Sequence, residues 1–376
     1  MTAQTQTNPL RIPGRFKLGL FGYLHEGGNC FTTVPERWPA DWPSIVRMAQ
    51  MADDAGLDFL LPISRWKGVP GSLMHRLHSF ETLTHAAALG AITRRIAVLS
   101  TVHTPIIHPI VAAKAIVTVD HASGGRSGLN IVCGWNQDDF DMFGIKPLAH
   151  ADRYGQAMEW FEIWSRLVAG APEPFDFDGT WFKGLTGLCG LPGSVQQPRP
   201  IVISAAFSAE GRDYAVRTSD FLFTFLESFE AGRKDLADLQ ARAAASGRQE
   251  KLEAIAITYV VCRRTRAEAT AFHSYYAEQN ADEAGLDYYL AGRTKGASMP
   301  EFERQALRTR FAGGNGAYPL IGTPQDVADG LIEIQRAGFA GASVTILNFV
   351  DDLPLFVDEV LPILDRAGIR GGTDGN

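Results

Sequence analysis

The runs IAVLS (96–100) and SGLNIV (127–132) decide how this chain is read. Both are short, nearly continuously apolar and broken by few polar residues. A strand wetted on one face alternates apolar with polar side chains. A run without that alternation is a strand buried on both faces, as in a parallel sheet covered by helices. Working outward, six more such runs lie at 17–22, 58–62, 200–205, 220–225, 253–261 and 343–349.

Helical patterns separate nearly all of them. Between the first two, Ile45, Met48, Ala49 and Ala52 recur at helical spacing, and Gly56 supplies the stop. After the run at 127–132, Tyr154, Ala157, Met158, Phe161, Trp164 and Val168 form a long apolar stripe. Near the end, Thr323 and Pro324 read as N-cap and first-turn residue, with Val327, Leu331 and Ile334 along the following face. Eight strand–helix alternations predict a closed (β/α)8 TIM barrel. The competing architecture is an open doubly wound sheet, which the lack of a G-x-G-x-x-G after the first run weakens.

The chain has 376 residues, enough for one barrel with insertions and for a core needing no disulfide or metal staple. The reading is a flexible N-terminus over 1–15, one barrel over 16–368 and a flexible tail over 369–376. Insertions are expected at 171–197 and 280–319, the second as a lid or binding loop. Four scattered cysteines with no C-x-x-C pair exclude a zinc ribbon or disulfide scaffold. A net charge of −7 gives no basic stripe for nucleic acid. No apolar run approaches a membrane span, and the polar N-terminus lacks a signal peptide's apolar core, so a cytoplasmic protein is expected. No metal site is expected, because the His pairs 75/78 and 103/108 lack ligand spacing with a carboxylate. No G-x-S-x-G elbow surrounds Ser100 or Ser204, which excludes a serine hydrolase of that type.

Three groups of motifs resemble one family. They are ITRRIAV (92–98) with His108-Pro109 and DHASGGR (120–126); NIVCGW (130–135) with FGI (143–145) and DRY (152–154); and IGTPQDV (321–327). Over residues 16–364 the chain resembles the bacterial-luciferase-like flavin monooxygenases, most closely their pyrimidine monooxygenase branch, with dimethylsulfone and alkanesulfonate monooxygenases as near neighbours. The resemblance implies a two-component FMN-dependent monooxygenase. A separate NAD(P)H:flavin reductase would deliver reduced FMN, and O2 would be the co-substrate. Oxygenation or cleavage of a small amide, N-heterocyclic or organosulfur substrate would proceed through a flavin peroxide, at C(4a) or N(5). A homodimer or homotetramer is implied as well.

Carried over residue by residue, the resemblance implies that Ser64 and Arg65 approach the flavin ring, and that Asn130 bonds its edge. Asp139 occupies a flavin-contact position where the related enzyme has Glu, and Arg153, Tyr154 and Ser208 meet the ribityl phosphate. Thr104 and Asn130 would form a small polar oxygen pocket. The residues support this independently: nearly all follow strand ends on the face where barrels build their sites. A guanidinium fork and a helix-start hydroxyl suit an anion, and a buried amide such as Asn130 must be bonded to something. Bland readings stand beside them: a first-turn helix charge for Arg153, a turn residue for Thr104, a solvated loop for Arg65. His25 and His103 are candidate pocket residues for hydrogen bonding or proton transfer. Trp66, Trp135 and Phe349 are candidate walls of an aromatic pocket, and Cys30 a candidate lining residue. Two alternatives remain: a deazaflavin-dependent dehydrogenase of the same superfamily, and a non-catalytic flavin-binding homologue.

Overall fold

A computed structural model describes residues 7–170, 173–291 and 300–371. Its strands are β1 (Lys17–Phe21), β2 (Phe59–Leu61), β3 (Ala97–His103), β4 (Ser127–Val132), β5 (Phe175–Phe177), β6 (Leu185–Leu188), β7 (Ile201–Ala205), β8 (Phe221–Phe225), β9 (Glu253–Cys262), β10 (Tyr318–Gly322) and β11 (Gly341–Thr345). Eight of them form a parallel ring in the order β1-β2-β3-β4-β7-β8-β9-β11, and β11 pairs back onto β1. The expected barrel therefore closes, and the open doubly wound alternative is set aside.

Why the runs are continuous is visible in how the core divides. Leu18, Leu20, Leu60, Val98, Val102, Leu129, Ile131 and Val202 belong to the layer packed under the helices. Phe21, Phe59, Leu61, Leu99, Ile203, Phe223 and Ile257 form a second cluster, the barrel interior. Successive residues of one strand thus feed two different cores, as the two-residue period of a strand requires. Since Leu129 and Ile131 face the helices, Asn130 between them faces the barrel axis. The same alternation turns Thr101 and His103 inward on β3.

The helix over Trp42–Asp54 buries Ile45, Met48, Ala49 and Ala52 completely, and Gly56 follows it at φ +69°. The helix Pro324–Arg336 opens with a Thr323–Asp326 capping box. Asp53 holds the entry to β3 by accepting the Arg94, Arg95 and Ile96 N–H groups at 2.7–2.8 Å. Of the stretch 1–15, residues 7–15 are described: Asn8 and Leu10 are buried, and Asn8 Nδ2 donates to the Ser127 carbonyl at the foot of β4. At the other end Ile369 and Arg370 are buried, and Arg370 donates to the Ala55 and Gly56 carbonyls. Among the described residues no helix is long and apolar enough to cross a membrane.

The stretch 171–197 carries the antiparallel ribbon β5–β6. The stretch 280–319 contributes helices Glu283–Ala291 and Glu301–Gly314, then leads into β10. β10 takes over pairing with β9 at Thr258–Cys262, above the point where β8 ends its own pairing at Ile257. Part of the expected lid, 292–299, lies outside the described residues. Its described base is bonded to loops that leave β1 and β2: Asp282 N–H donates to the Phe31 carbonyl, and the Asp282 carboxylate accepts the Ser72 and Leu73 N–H groups.

Candidate active site

The C-terminal mouth of the barrel gathers nearly every residue singled out in the sequence. On its floor, Asn130 and Thr101 are paired in register on β4 and β3. Asn130 Nδ2 donates to Thr101 Oγ1 at 3.2 Å, and Thr101 Oγ1 donates to the Pro62 carbonyl at 2.6 Å. That fixes the amide's orientation and leaves its oxygen, Oδ1, buried with no protein partner. His103 Nδ1, on the last residue of β3, and Thr104 Oγ1, just beyond it, are also buried without one. A buried polar atom left unsatisfied costs about 1–3 kcal/mol. Three such atoms at the C-terminal ends of two adjacent strands, β3 and β4, therefore mark a place built to receive polar groups from outside the chain.

Above this floor Arg65, in the loop after β2, is 8% exposed and bonded through Nη1 to Asp139 Oδ2 at 3.1 Å. The other Asp139 oxygen accepts the backbone N–H groups of Trp66 (3.2 Å) and Lys67 (3.0 Å). Ser64 is buried beside them. The guanidinium also lies 5.1 Å from the centre of the Trp135 ring. Burial works to raise the Asp139 carboxyl, but Arg65 and the hydrogen bonds hold it below its ordinary value. Burial, reinforced by Arg65 and opposed by Asp139, pushes His103 down to about 4. His25 is wholly buried, neither of its ring nitrogens has a protein partner, and burial together with Arg76 and Arg65 drives it well below 6.5. Both histidines are therefore neutral at pH 7, each with one donor and one acceptor nitrogen.

One side of the mouth is polar. Ser208 is the N-cap of the helix Ala209–Thr218, its hydroxyl accepting from Gly211 N–H at 3.1 Å. Tyr154, in the first turns of the helix His150–Val168, brings its hydroxyl to 3.2 Å from Ser208 Oγ. Arg153 donates to the Gly134 carbonyl at 2.9 Å and lines a cavity of about 100 Å3 with Pro105, Phe140, Ile145 and Gln156. A hydroxyl pair at a helix N-terminus with a guanidinium nearby is an anion-binding arrangement.

Two expectations change, those for Phe349 and Cys30. Phe349 does not wall the mouth: it is fully buried against Trp38 and Tyr23 in the helix-facing core. Cys30 is buried and donates to the Gly313 carbonyl. Cys133 is half-buried, and burial raises its thiol to about 12. His75 and His78 point to different carboxylates, Asp282 and Glu26, at 2.9 Å each. Trp66 and Trp135 do stand at the rim, Trp66 against Phe143 and Trp135 under Arg65. Sequence reasoning missed Thr101, which orients Asn130, and Arg76. Arg76 is buried at φ +59°, with its cation 5.0 Å and 5.3 Å from the rings of Phe31 and Tyr289. Nothing in the polar loop around Arg76 signals that its side chain turns inward.

Comparison with known proteins agrees with this fold. Residues 21–341 match the family model described as luciferase-like monooxygenase. An FMNH2-dependent dimethylsulfone monooxygenase from Pseudomonas putida is 28% identical over 349 residues, covering 90% of this chain and 92% of its own. The pyrimidine monooxygenase RutA of Allorhizobium ampelinum is 26% identical, covering 93% and 96%. Among solved structures, riboflavin lyase RcaE, crystallised with modified FMN and riboflavin, superposes with a TM-score of 0.83 at 23% identity. It covers 96% of this chain and 94% of its own.

Proposed function

This chain belongs to the luciferase-like monooxygenase family, and on that premise we propose that it is the oxygenase of a two-component FMN-dependent system acting on a small amide, N-heterocyclic or organosulfur compound. The observation that carries the reading is the set of three buried, unsatisfied polar atoms at the C-terminal ends of β3 and β4: Asn130 Oδ1, Thr104 Oγ1 and His103 Nδ1. They fit a planar ring with donors and acceptors along its edge, and they stand in the mouth whose rim carries the Ser208–Tyr154 anion cradle. Reduced FMN, when bound, supplies the electrons with which O2 is activated.

The chain's own residues do the rest. Ser208, Tyr154 and Arg153 hold the phosphate end. Asn130, fixed by Thr101, presents one carbonyl oxygen to the ring edge, while Thr104 offers a hydroxyl to oxygen beside it. Arg65 places a positive charge over the mouth, with Ser64 beside it. His25 and His103, both neutral, orient the substrate by hydrogen bonds and do not carry charge into the pocket. The apolar interior below and the bonded loops above exclude water. A separate NAD(P)H:flavin reductase supplies the reduced cofactor, and the enzyme works in the cytoplasm as a homodimer or homotetramer.

Anaerobic titration with photoreduced FMN tests this, set against oxidised FMN and a reduced deazaflavin. Preferential binding of reduced FMN, weakened by Asn130→Ala, is expected. Preference for the deazaflavin, or no flavin binding, would overturn the reading.

A further inference from the structure

Asp139 sits where the family resemblance implies a flavin contact, yet its geometry points elsewhere. It is 1% exposed, and both of its oxygens are already engaged within the chain. Oδ2 accepts from Arg65 Nη1; Oδ1 accepts from the N–H groups of Trp66 and Lys67. Its neighbour on the helix Gln137–Met142 faces outward instead: Asp138 pairs with Lys67 Nζ at 3.2 Å and accepts from Tyr288 OH at 2.7 Å. The two adjacent carboxylates thus both hold the loop after β2, Asp139 through Arg65 and the backbone and Asp138 through the Lys67 side chain.

We propose that Asp139 is a positioning residue, whose carboxylate fixes the Arg65 guanidinium between itself and the Trp135 ring and does not touch the flavin. The proposal rests on the reading of the mouth as a reduced-flavin site. Three facts converge on it. A carboxylate offers about four acceptor sites, and this one spends three on Arg65 and the Trp66 and Lys67 N–H groups and a further one on the Asn136 side chain. The guanidinium is gripped on two sides, by the carboxylate and by the indole at 5.1 Å, so its long side chain is held in one rotamer before any ligand arrives. Arg65 also acts on both buried histidines of the mouth, lowering His103 and, together with Arg76, His25.

The test is a double-substitution cycle on the full chain, read by anaerobic titration with photoreduced FMN. Asp139→Asn is nearly isosteric: its amide oxygen still accepts the Trp66 and Lys67 N–H groups, but its N–H2 meets Arg65 donor to donor and releases it. Loss of one charge-assisted bond is expected to weaken reduced FMN about tenfold in Asp139→Asn. Arg65→Gln should weaken it similarly, and the double variant no further than Arg65→Gln alone. If Asp139→Asn weakens binding by the same factor whether or not Arg65 is present, Asp139 contacts the cofactor itself and the proposal falls.

Titration of the His103 imidazole by NMR, in the protein without flavin, gives a readout that a merely structural role would not move. Loss of the Asp139 charge lowers His103 directly, whereas release of Arg65 raises it, so Asp139→Asn should shift His103 by different amounts with Arg65 present and in the Arg65→Gln chain. Should the wild-type chain not bind reduced FMN, the flavin reading fails alone; unequal His103 shifts for Asp139→Asn with and without Arg65 would still uphold the Asp139–Arg65 coupling, and equal shifts would refute it. Should Asp139→Asn not fold, Asp139→Glu replaces it in the same cycle, and equal weakening with and without Arg65 again overturns the proposal.

Discussion

Ser208 can be a helix cap, a phosphate ligand or both, and two substitutions separate these roles. As a cap, its hydroxyl accepts Gly211 N–H at 3.1 Å and meets Tyr154 OH at 3.2 Å. Losing a Ser cap to Ala costs about 1 kcal/mol, and to Gly only a few tenths. For a chain of this length 1 kcal/mol lowers Tm by about 1 °C. As a ligand to a phosphate, the hydroxyl supplies one hydrogen bond to a charged group, worth about 2 kcal/mol or roughly thirtyfold in affinity. Both Ser208→Ala and Ser208→Gly should therefore weaken reduced FMN roughly thirtyfold, although Ser208→Gly leaves Tm almost unchanged. Reduced riboflavin, which has no phosphate, should bind the wild type and both variants alike. The assay is anaerobic fluorescence titration with each flavin, alongside thermal melts. If FMN and riboflavin weaken together, the substitution has only disturbed the mouth. If neither weakens, Ser208 is a cap and the phosphate is held elsewhere.

Removing the Asp53 carboxylate orphans the N–H groups of Arg94, Arg95 and Ile96 at once; Asp53→Ala should cost about 3 kcal/mol, and a loss below about 1 kcal/mol in urea unfolding would show that water replaces it. Acid should destabilise the fold in a window set by its buried histidines. His85 and His103 titrate at about 4 when folded, because burial dominates, against an ordinary 6.5 when unfolded. A depressed folded value means the unfolded chain takes up the proton first, so stability is full above pH 6.5 and is lost as pH falls toward 4. At pH 5 each such group costs roughly 2 kcal/mol, and denaturant midpoints that are flat between pH 7 and 5 would contradict the burial. Finally, Gly134 sits at φ +83°, and a Cβ there would lie 2.4 Å from the Phe140 ring. Gly134→Ala should shift the carbonyl that anchors Arg153 and weaken reduced FMN about tenfold; unchanged binding would detach Arg153 from the site.

The barrel was legible because each of its strands is buried on both faces, and that condition writes itself into consecutive residues: IAVLS and SGLNIV have no wet side to record. The strands outside the ring left no such trace. β5 and β6 form a surface ribbon of only three and four residues, Phe-Asp-Phe and Leu-Thr-Gly-Leu, and β10 lies at the end of a polar insertion, so both read as loop. Within the site, Asn130 could be placed from sequence, since an amide flanked by Leu129 and Ile131 must point opposite to them. Phe349 misled for the converse reason. An aromatic after a strand end suits a pocket wall and a core equally, and only its contacts with Trp38 and Tyr23 decide.

By itself, then, the sequence determined the alternation of strand and helix, the family, and which residues stand after strand ends, because all of these are local or repeat with a fixed period. The tertiary structure decided who meets whom across the mouth. Arg65 and Asp139 are 74 positions apart, Tyr154 and Ser208 are 54 apart, and His25 lies within the fields of Arg65 and Arg76. No pattern along the chain encodes those encounters. They follow from barrel closure, which brings eight loops to one rim, and from burial, which leaves a charge or a polar atom there only where a partner can meet it.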